Sequence, residues 1–209
     1  MAKFNQFLKM KQLFNSEPIV FNVKDAELIY YPNVFNEAEC SQYYKALLEN
    51  TQWREDTITL FGKTHKQPRL TALYANNNKP YSYSNITMYP EAFGLELELI
   101  KNKIEAICAA TFTTCLLNLY RNGNDSNGWL ADDEKELGIN PTIASVSFGA
   151  VRRFQLKHKT DKDQKLTINL ESGSLLLMKG STQQFWKHQI PKTKKEVGKR
   201  INLTFRYIK

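Results

Sequence analysis

A chain of 209 residues can bury roughly 70% of its unfolded surface and is short enough for one domain, at about 150 residues per domain. Its 42% hydrophobic and 24% charged residues exclude a disordered chain, a collagenous one and a disulfide scaffold. Charge is uneven: residues 150–209 hold fifteen Lys/Arg against four Asp/Glu, while the preceding 149 hold fourteen against seventeen. A basic C-terminal third is the footprint of a polyanion partner, or else the solvated surface of a basic protein.

No apolar run approaches the roughly 20 residues that span a bilayer, and Met1 to Val20 lacks the apolar stretch of a secretory signal. Three scattered cysteines, Cys40, Cys108 and Cys115, read as reduced, buried thiols. The expectation is a cytoplasmic monomer (nuclear if eukaryotic) without a membrane partner.

In chain order, residues 1–17 form an arm with a weak helical pattern, and residues 18–209 a single domain. Asn36-Glu-Ala-Glu39 is a capping box that predicts a helix to about Glu49. Leu60-Phe61-Gly62-Lys63 reads as a hairpin turn with Phe61 near its tip. Pro90 is expected to start a longer helix, with Phe93, Leu97, Ile100, Ile104 and Ile107 at helical spacing. Short strands follow: Cys115 to Tyr120, Ile143 to Phe148, Arg153 to Leu156, Lys165 to Leu170, Ser174 to Met178 and Ile201 to Ile208. Helices first and short strands afterwards predict an α+β fold with a sandwich or jelly-roll core.

Histidine occurs only three times, and His188 reads as a loop residue between strands. Asp132 sits about 55 residues earlier, in a loop just after a strand. Alone, each is weak evidence, because loop histidines and acids are mostly structural or solvated. The ordered set carries more: Asn118-x-Tyr120, Asp132-Asp133-Glu134, Pro141-x-Ile-Ala-Ser-Val-Ser-Phe-Gly149, His188 and Arg200-Ile-Asn-Leu-Thr-Phe-Arg206. In order and spacing this set resembles the AlkB family of iron and 2-oxoglutarate dependent dioxygenases, closest to the branch that repairs alkylated duplex DNA. The resemblance covers about Phe61 to Tyr207.

The resemblance implies a double-stranded β-helix core, N-terminal supporting helices and a nucleotide-recognition lid at about residues 54–88. It also implies Fe(II) as cofactor and 2-oxoglutarate as co-substrate. Asp132 and His188 match two iron ligands, since carboxylate plus imidazole suits ferrous iron. Arg200 would pair with a 2-oxoglutarate carboxylate through its planar fork, beside Asn118, Tyr120, Asn202 and Arg206. The implied reaction consumes molecular oxygen: one atom enters succinate as 2-oxoglutarate loses carbon dioxide, the other hydroxylates an N-alkyl carbon, and the hemiaminal then releases formaldehyde and the restored base.

The departure lies at Leu130-Ala131-Asp132, where the family pattern is His-x-Asp. Leucine has no donor atom, so the resemblance implies an impaired enzyme or a nucleic-acid-binding pseudoenzyme. Whether the ligand was replaced by design or by nature stays open.

For the substrate, alkylated DNA or RNA, Tyr83 in Tyr81-Ser-Tyr83-Ser84 matches the aromatic that stacks on a flipped base. Asp133 matches the acid that meets a cationic alkylated base, with Glu134 and Arg69 nearby. Phe61, followed by Gly62, matches a wedge that fills the gap in the duplex. Arg152, Arg153, Lys157, His158 and Lys159, with Lys192, Lys194 and Lys195, are candidate phosphate contacts.

Overall fold

The computed structural model describes residues 17–60, 63–77, 81–83 and 86–208. The predicted arm, apart from Glu17, and the predicted wedge Phe61–Gly62 lie outside the described residues. The strands are β1 (Ile19–Phe21), β2 (Glu27–Tyr31), β3 (Thr57–Leu60), β4 (Lys63–Lys66), β5 (Leu70–Ala75), β6 (Tyr81–Tyr83), β7 (Ile86–Met88) and β8 (Glu91–Ala92). They continue as β9 (Thr114–Tyr120), β10 (Asn127–Leu130), β11 (Ile143–Gly149), β12 (Arg152–His158), β13 (Lys165–Leu170), β14 (Ser174–Lys179), β15 (Trp186–Ile190) and β16 (Arg200–Arg206). Among the described residues the α-helices are α1 (Glu37–Asn50), α2 (Leu95–Cys108) and the single turn α3 (Thr182–Phe185).

The major sheet runs β1-β2-β14-β11-β16-β9-β5-β8 and the minor sheet β10-β15-β12-β13. From β9 onward, the chain crosses between the sheets and returns, winding eight strands into a double-stranded β-helix. Alternation decides what each face of the major sheet meets. Leu117 and Leu119 of β9, Val146 and Phe148 of β11, and Ile201, Leu203 and Phe205 of β16 share one core with Tyr43 and Leu47 of α1 and Ile100 and Ile104 of α2. The opposite face turns its residues into the barrel. There Tyr120, Ile143, Leu176 and Met178 join Phe154, Leu156, Trp186 and Ile190 of the minor sheet in a second core.

The capping box forms as expected: Glu39 N donates to Asn36 Oδ1 at 2.9 Å, and Asn36 N donates to Glu39 Oε2 at 2.8 Å. The second long helix starts later than Pro90. Glu91–Ala92 pairs in parallel with Tyr74–Ala75, and the helix begins only after Gly94. All three cysteines are free. Cys108 is buried in the helix-side core, and burial pushes its thiol up to about 12, which keeps it protonated at neutral pH.

One close approach needs its glycine. Gly149 ends β11 at φ +88°, opposite Arg200. A Cβ there would lie 2.5 Å from the Lys199 carbonyl oxygen, so a side chain would push β16, and Arg200 with it, away from β11.

Candidate active site

Strand β16 carries the densest row of chemistry. Arg200, Asn202, Thr204 and Arg206 are all buried on its barrel face, because polar residues occupy every second position while Ile201, Leu203 and Phe205 anchor the other face. Strand β9 sets Asn118 opposite Asn202 and Tyr120 opposite Arg200. Strand β11 contributes Ser145 and Ser147 from the other side. All of these except Ser147 line one narrow cleft, which Asp132 and His188 also line.

Arg200 is 1% exposed. Its Nη2 donates to Ser147 Oγ at 2.9 Å, and its guanidinium carbon lies 5.3 Å from the Tyr120 ring centroid. Its Nε and Nη1 are buried without any hydrogen-bond partner, which a buried charge seldom tolerates. Burial lowers its pKa to about 10, so it stays cationic at neutral pH. Asn202 is internally committed: its Nδ2 donates to Ser145 Oγ at 2.8 Å and to the Val146 carbonyl at 3.0 Å. Its Oδ1 accepts from Thr204 Oγ1 at 3.1 Å. Asn118 Oδ1 accepts from Arg69 Nε at 2.6 Å, so Arg69 reaches the cleft as a partner of Asn118.

At the other end, Asp132 is 1% exposed. Its Oδ1 accepts from Arg206 Nη2 at 2.6 Å, and its backbone N–H donates to Gln183 Oε1 at 2.9 Å. His188 was expected in a loop; it sits instead on β15, whose Trp186, His188 and Ile190 alternate inward. The expectation failed because five residues ended by Pro191 give a weak strand signal. The His188 ring stacks on Phe154 at 5.1 Å. Burial holds its pKa below 6.5; the Asp132 carboxylate opposes that shift and Arg206 reinforces it.

Leu130 lies directly across from His188 in the β10–β15 pairing. It packs against the buried Leu73, Met88 and Leu116, with Ile208 beside them. Among the described residues, no group of three or more His, Cys, Asp or Glu is placed to hold a metal. The 2-oxoglutarate implied by the sequence therefore fits the donors present, because Arg200 offers two buried N–H groups to a carboxylate. Iron does not fit a facial triad here: a carboxylate and an imidazole are present, and the third position is a hydrocarbon.

The substrate-side residues divide. Asp133 is exposed and paired with Lys159 at 2.9 Å. Burial, with the Asp132 charge second, pushes the Glu134 carboxyl up from its ordinary value. Tyr83 lies at the end of β6, paired with Ile86 of β7. Arg153 faces solvent from β12, and Lys157 Nζ lies 4.3 Å from the ring centroid of Trp129, itself 37% exposed. Lys192, Lys194 and Lys195 are exposed in the loop before β16.

Two phosphate-contact expectations are corrected. Arg152 is 3% exposed, and its guanidinium donates to the carbonyls of Asn122, Asp125 and Pro191 at 2.7–3.1 Å. It braces loops behind Tyr120 and does not reach solvent. His158 is buried, with Nε2 3.2 Å from Asp25 Oδ2 and Nδ1 accepting from Asp161 N at 3.0 Å. Gln183 was not anticipated, and Ser145 and Ser147, though inside the Pro141–Gly149 motif, were given no role. Only Ser145 and Ser147 left a trace, as polar residues alternating within the apolar Ile143–Gly149 strand.

The 2OG-Fe(II) oxygenase superfamily matches residues 27–206. Alpha-ketoglutarate-dependent dioxygenase alkB homolog 3 of Homo sapiens is 39% identical over 187 residues, covering 85% of this chain and 65% of the relative. DNA oxidative demethylase ALKBH2 of Homo sapiens is 34% identical over 188 residues, covering 85% of this chain and 72% of the relative. The chain thus spans just under two thirds of the first relative's length. The solved structure of OsALKBH1 superposes with a TM-score of 0.62 at 14% identity, covering 90% of this chain and all of the other, a likeness of fold. Sequence relatives that cover most of the barrel, and a family match spanning both sheets, lead to one conclusion: the chain belongs to the 2OG-Fe(II) oxygenase superfamily and, within it, to the AlkB family.

Proposed function

We propose that this chain is built for oxidative demethylation of N-alkylated bases in DNA, of the 1-methyladenine and 3-methylcytosine type, and that Leu130 leaves it impaired. The observation that carries this reading is one cleft joining Asp132 and His188 to the Arg200–Arg206 row. Fe(II) and 2-oxoglutarate are the cofactor and co-substrate of the family. In this reading Arg200, with Tyr120 and Asn118, receives 2-oxoglutarate. Arg206 holds Asp132 in place, and Asn202 ties β16 to β11. Arg69 orients Asn118.

The relative named as a DNA oxidative demethylase supports DNA as the substrate; RNA with the same lesions is the alternative. Tyr83 is the proposed stacking residue, with Phe61 and Gly62 as the wedge. Asp133, already paired with a lysine, would exchange that cation for an alkylated base, with Glu134 behind it. Along the outer face of the minor sheet, Lys165, Lys157 and Lys187 stand directly opposite one another across β13, β12 and β15. Like charges so placed repel, and a phosphate backbone would relieve them. Arg153 and Lys159 extend the same surface. A cytoplasmic monomer is the proposed setting.

A second reading, a nucleic-acid binder without turnover, is favoured by the apolar seat that Leu130 occupies. Demethylation of a 1-methyladenine duplex, measured for this chain and for Leu130→His, separates the two. A lost outer-shell partner of a metal site costs about 10–100-fold. A lost ligand should cost at least as much, so the histidine variant should turn over about 100-fold faster or more. Lesion-selective binding with no turnover by either protein would favour the second reading. Equal binding to modified and unmodified oligonucleotides would remove the repair reading altogether.

A further inference from the structure

Among the described residues lining the cleft, three are cationic, Arg69, Arg200 and Arg206, and one is anionic, Asp132. All four are buried, at 5%, 1%, 5% and 1% exposure. Asp132 answers Arg206 at 2.6 Å. Arg69 is answered by the neutral Asn118 and by the Ser126 carbonyl at 3.4 Å, and Arg200 by the neutral Ser147 and the neutral Tyr120 side chain. Two positive charges are therefore buried without a counter-charge, which is unfavourable unless an anion joins them. A dicarboxylate carries the two negative charges needed. A divalent metal would add two positive charges to a lining that is already cationic.

We propose that, with Leu130 in place, this cleft binds short dicarboxylates as dianions without a metal ion and does not distinguish 2-oxoglutarate from glutarate. This rests on the reading of the Arg200 end as the co-substrate site. The two diacids have the same length and charge and differ only by a neutral carbonyl. That carbonyl gains its advantage when it chelates a metal beside its carboxylate. Here the third ligand position is Leu130, backed by Leu73, Met88 and Leu116. Hydrocarbon gives a carbonyl oxygen nothing to bind. Affinity then comes from the arginines, through charge-assisted hydrogen bonds that both diacids make equally.

Calorimetry on the full chain tests this, titrating 2-oxoglutarate and glutarate in EDTA and again with Mn(II) as a redox-quiet probe. The two dissociation constants should agree within about threefold and should not shift on adding Mn(II), a difference under ~1 kcal/mol. Arg200→Ala, with folding checked by circular dichroism, should weaken both by about tenfold or more. A preference for 2-oxoglutarate of about tenfold or more, or binding that needs Mn(II), would overturn the proposal while leaving the dioxygenase reading in place. Absence of binding by either diacid would overturn it and remove the co-substrate site as well. Leu130→His should regain an Mn(II)-dependent preference for 2-oxoglutarate. If that variant stays indifferent to Mn(II) while both diacids still bind, the dicarboxylate site stands and the metal role of Asp132 and His188 fails.

Discussion

The two ends of the cleft differ in completeness. At the Arg200 end, donors are held on three adjacent strands and two N–H groups are left over for a ligand. At the His188 end, the two possible metal ligands are already engaged, Asp132 with Arg206 and His188 stacked on Phe154, and the position facing them is apolar. Binding and metal chemistry are therefore separable properties of this fold. In the proposed reading the Arg200 end holds an anion whatever stands at position 130, because Arg200 and Asn202 take their hydrogen bonds from β11, whereas Arg206 is tied to Asp132 just beyond β10.

That contrast can be broken from either end. The largest expected effect on stability comes from Asp132→Ala. It leaves Arg206 buried beside a lost partner and should cost about 3–5 kcal/mol in urea unfolding. A cost below about 1 kcal/mol would mean that the pair is solvated and that the two ends are not distinct in burial. Acid should act on the same end. His188 has a folded-state pKa below 6.5, so the unfolded chain takes up its proton first as pH falls. The contribution is intact above pH 6.5 and is lost progressively below it. Unfolding midpoints at pH 7.5 and 5.5 should differ less for His188→Gln than for the parent; an identical difference would place the titration elsewhere.

A smaller change sharpens the arginine end. Ser147→Ala removes one hydrogen bond to the Arg200 guanidinium and should weaken diacid binding by about 1–2 kcal/mol, leaving Asp132-dependent stability alone. The smallest effect lies outside the cleft. Lys157→Ala should lower the salt dependence of oligonucleotide binding by about one phosphate contact. An unchanged slope would take the basic face of the minor sheet out of the interface.

Much of the fold was legible because the major-sheet strands alternate cleanly. Arg200, Asn202, Thr204 and Arg206 share a parity, and so do the apolar residues between them. The same parity argument, applied to β12, would have placed Arg152 correctly, since it alternates with Phe154 and Leu156, which are buried. A basic residue count overrode the phase. The minor-sheet strands β10 and β15 escaped for another reason. They are four and five residues long, and their pairing shifts register between Asn127 and Leu130, so neither shows a sustained period. Gln183 gave no signal, because its contact with Asp132 spans 51 positions of sequence and depends wholly on the turn of α3. The capping box at Asn36 succeeded for the opposite reason, being complete within four residues.

The central claim is that one end of the cleft is whole and the other lacks a single donor. Titration of Mn(II) by electron paramagnetic resonance, with this chain and Leu130→His side by side and no diacid present, tests it most directly. The account predicts that the histidine variant binds Mn(II) at least about tenfold more tightly than the parent. Equal affinity would contradict it, and would mean that Asp132, locked to Arg206, is not available as a ligand even when the third donor is restored.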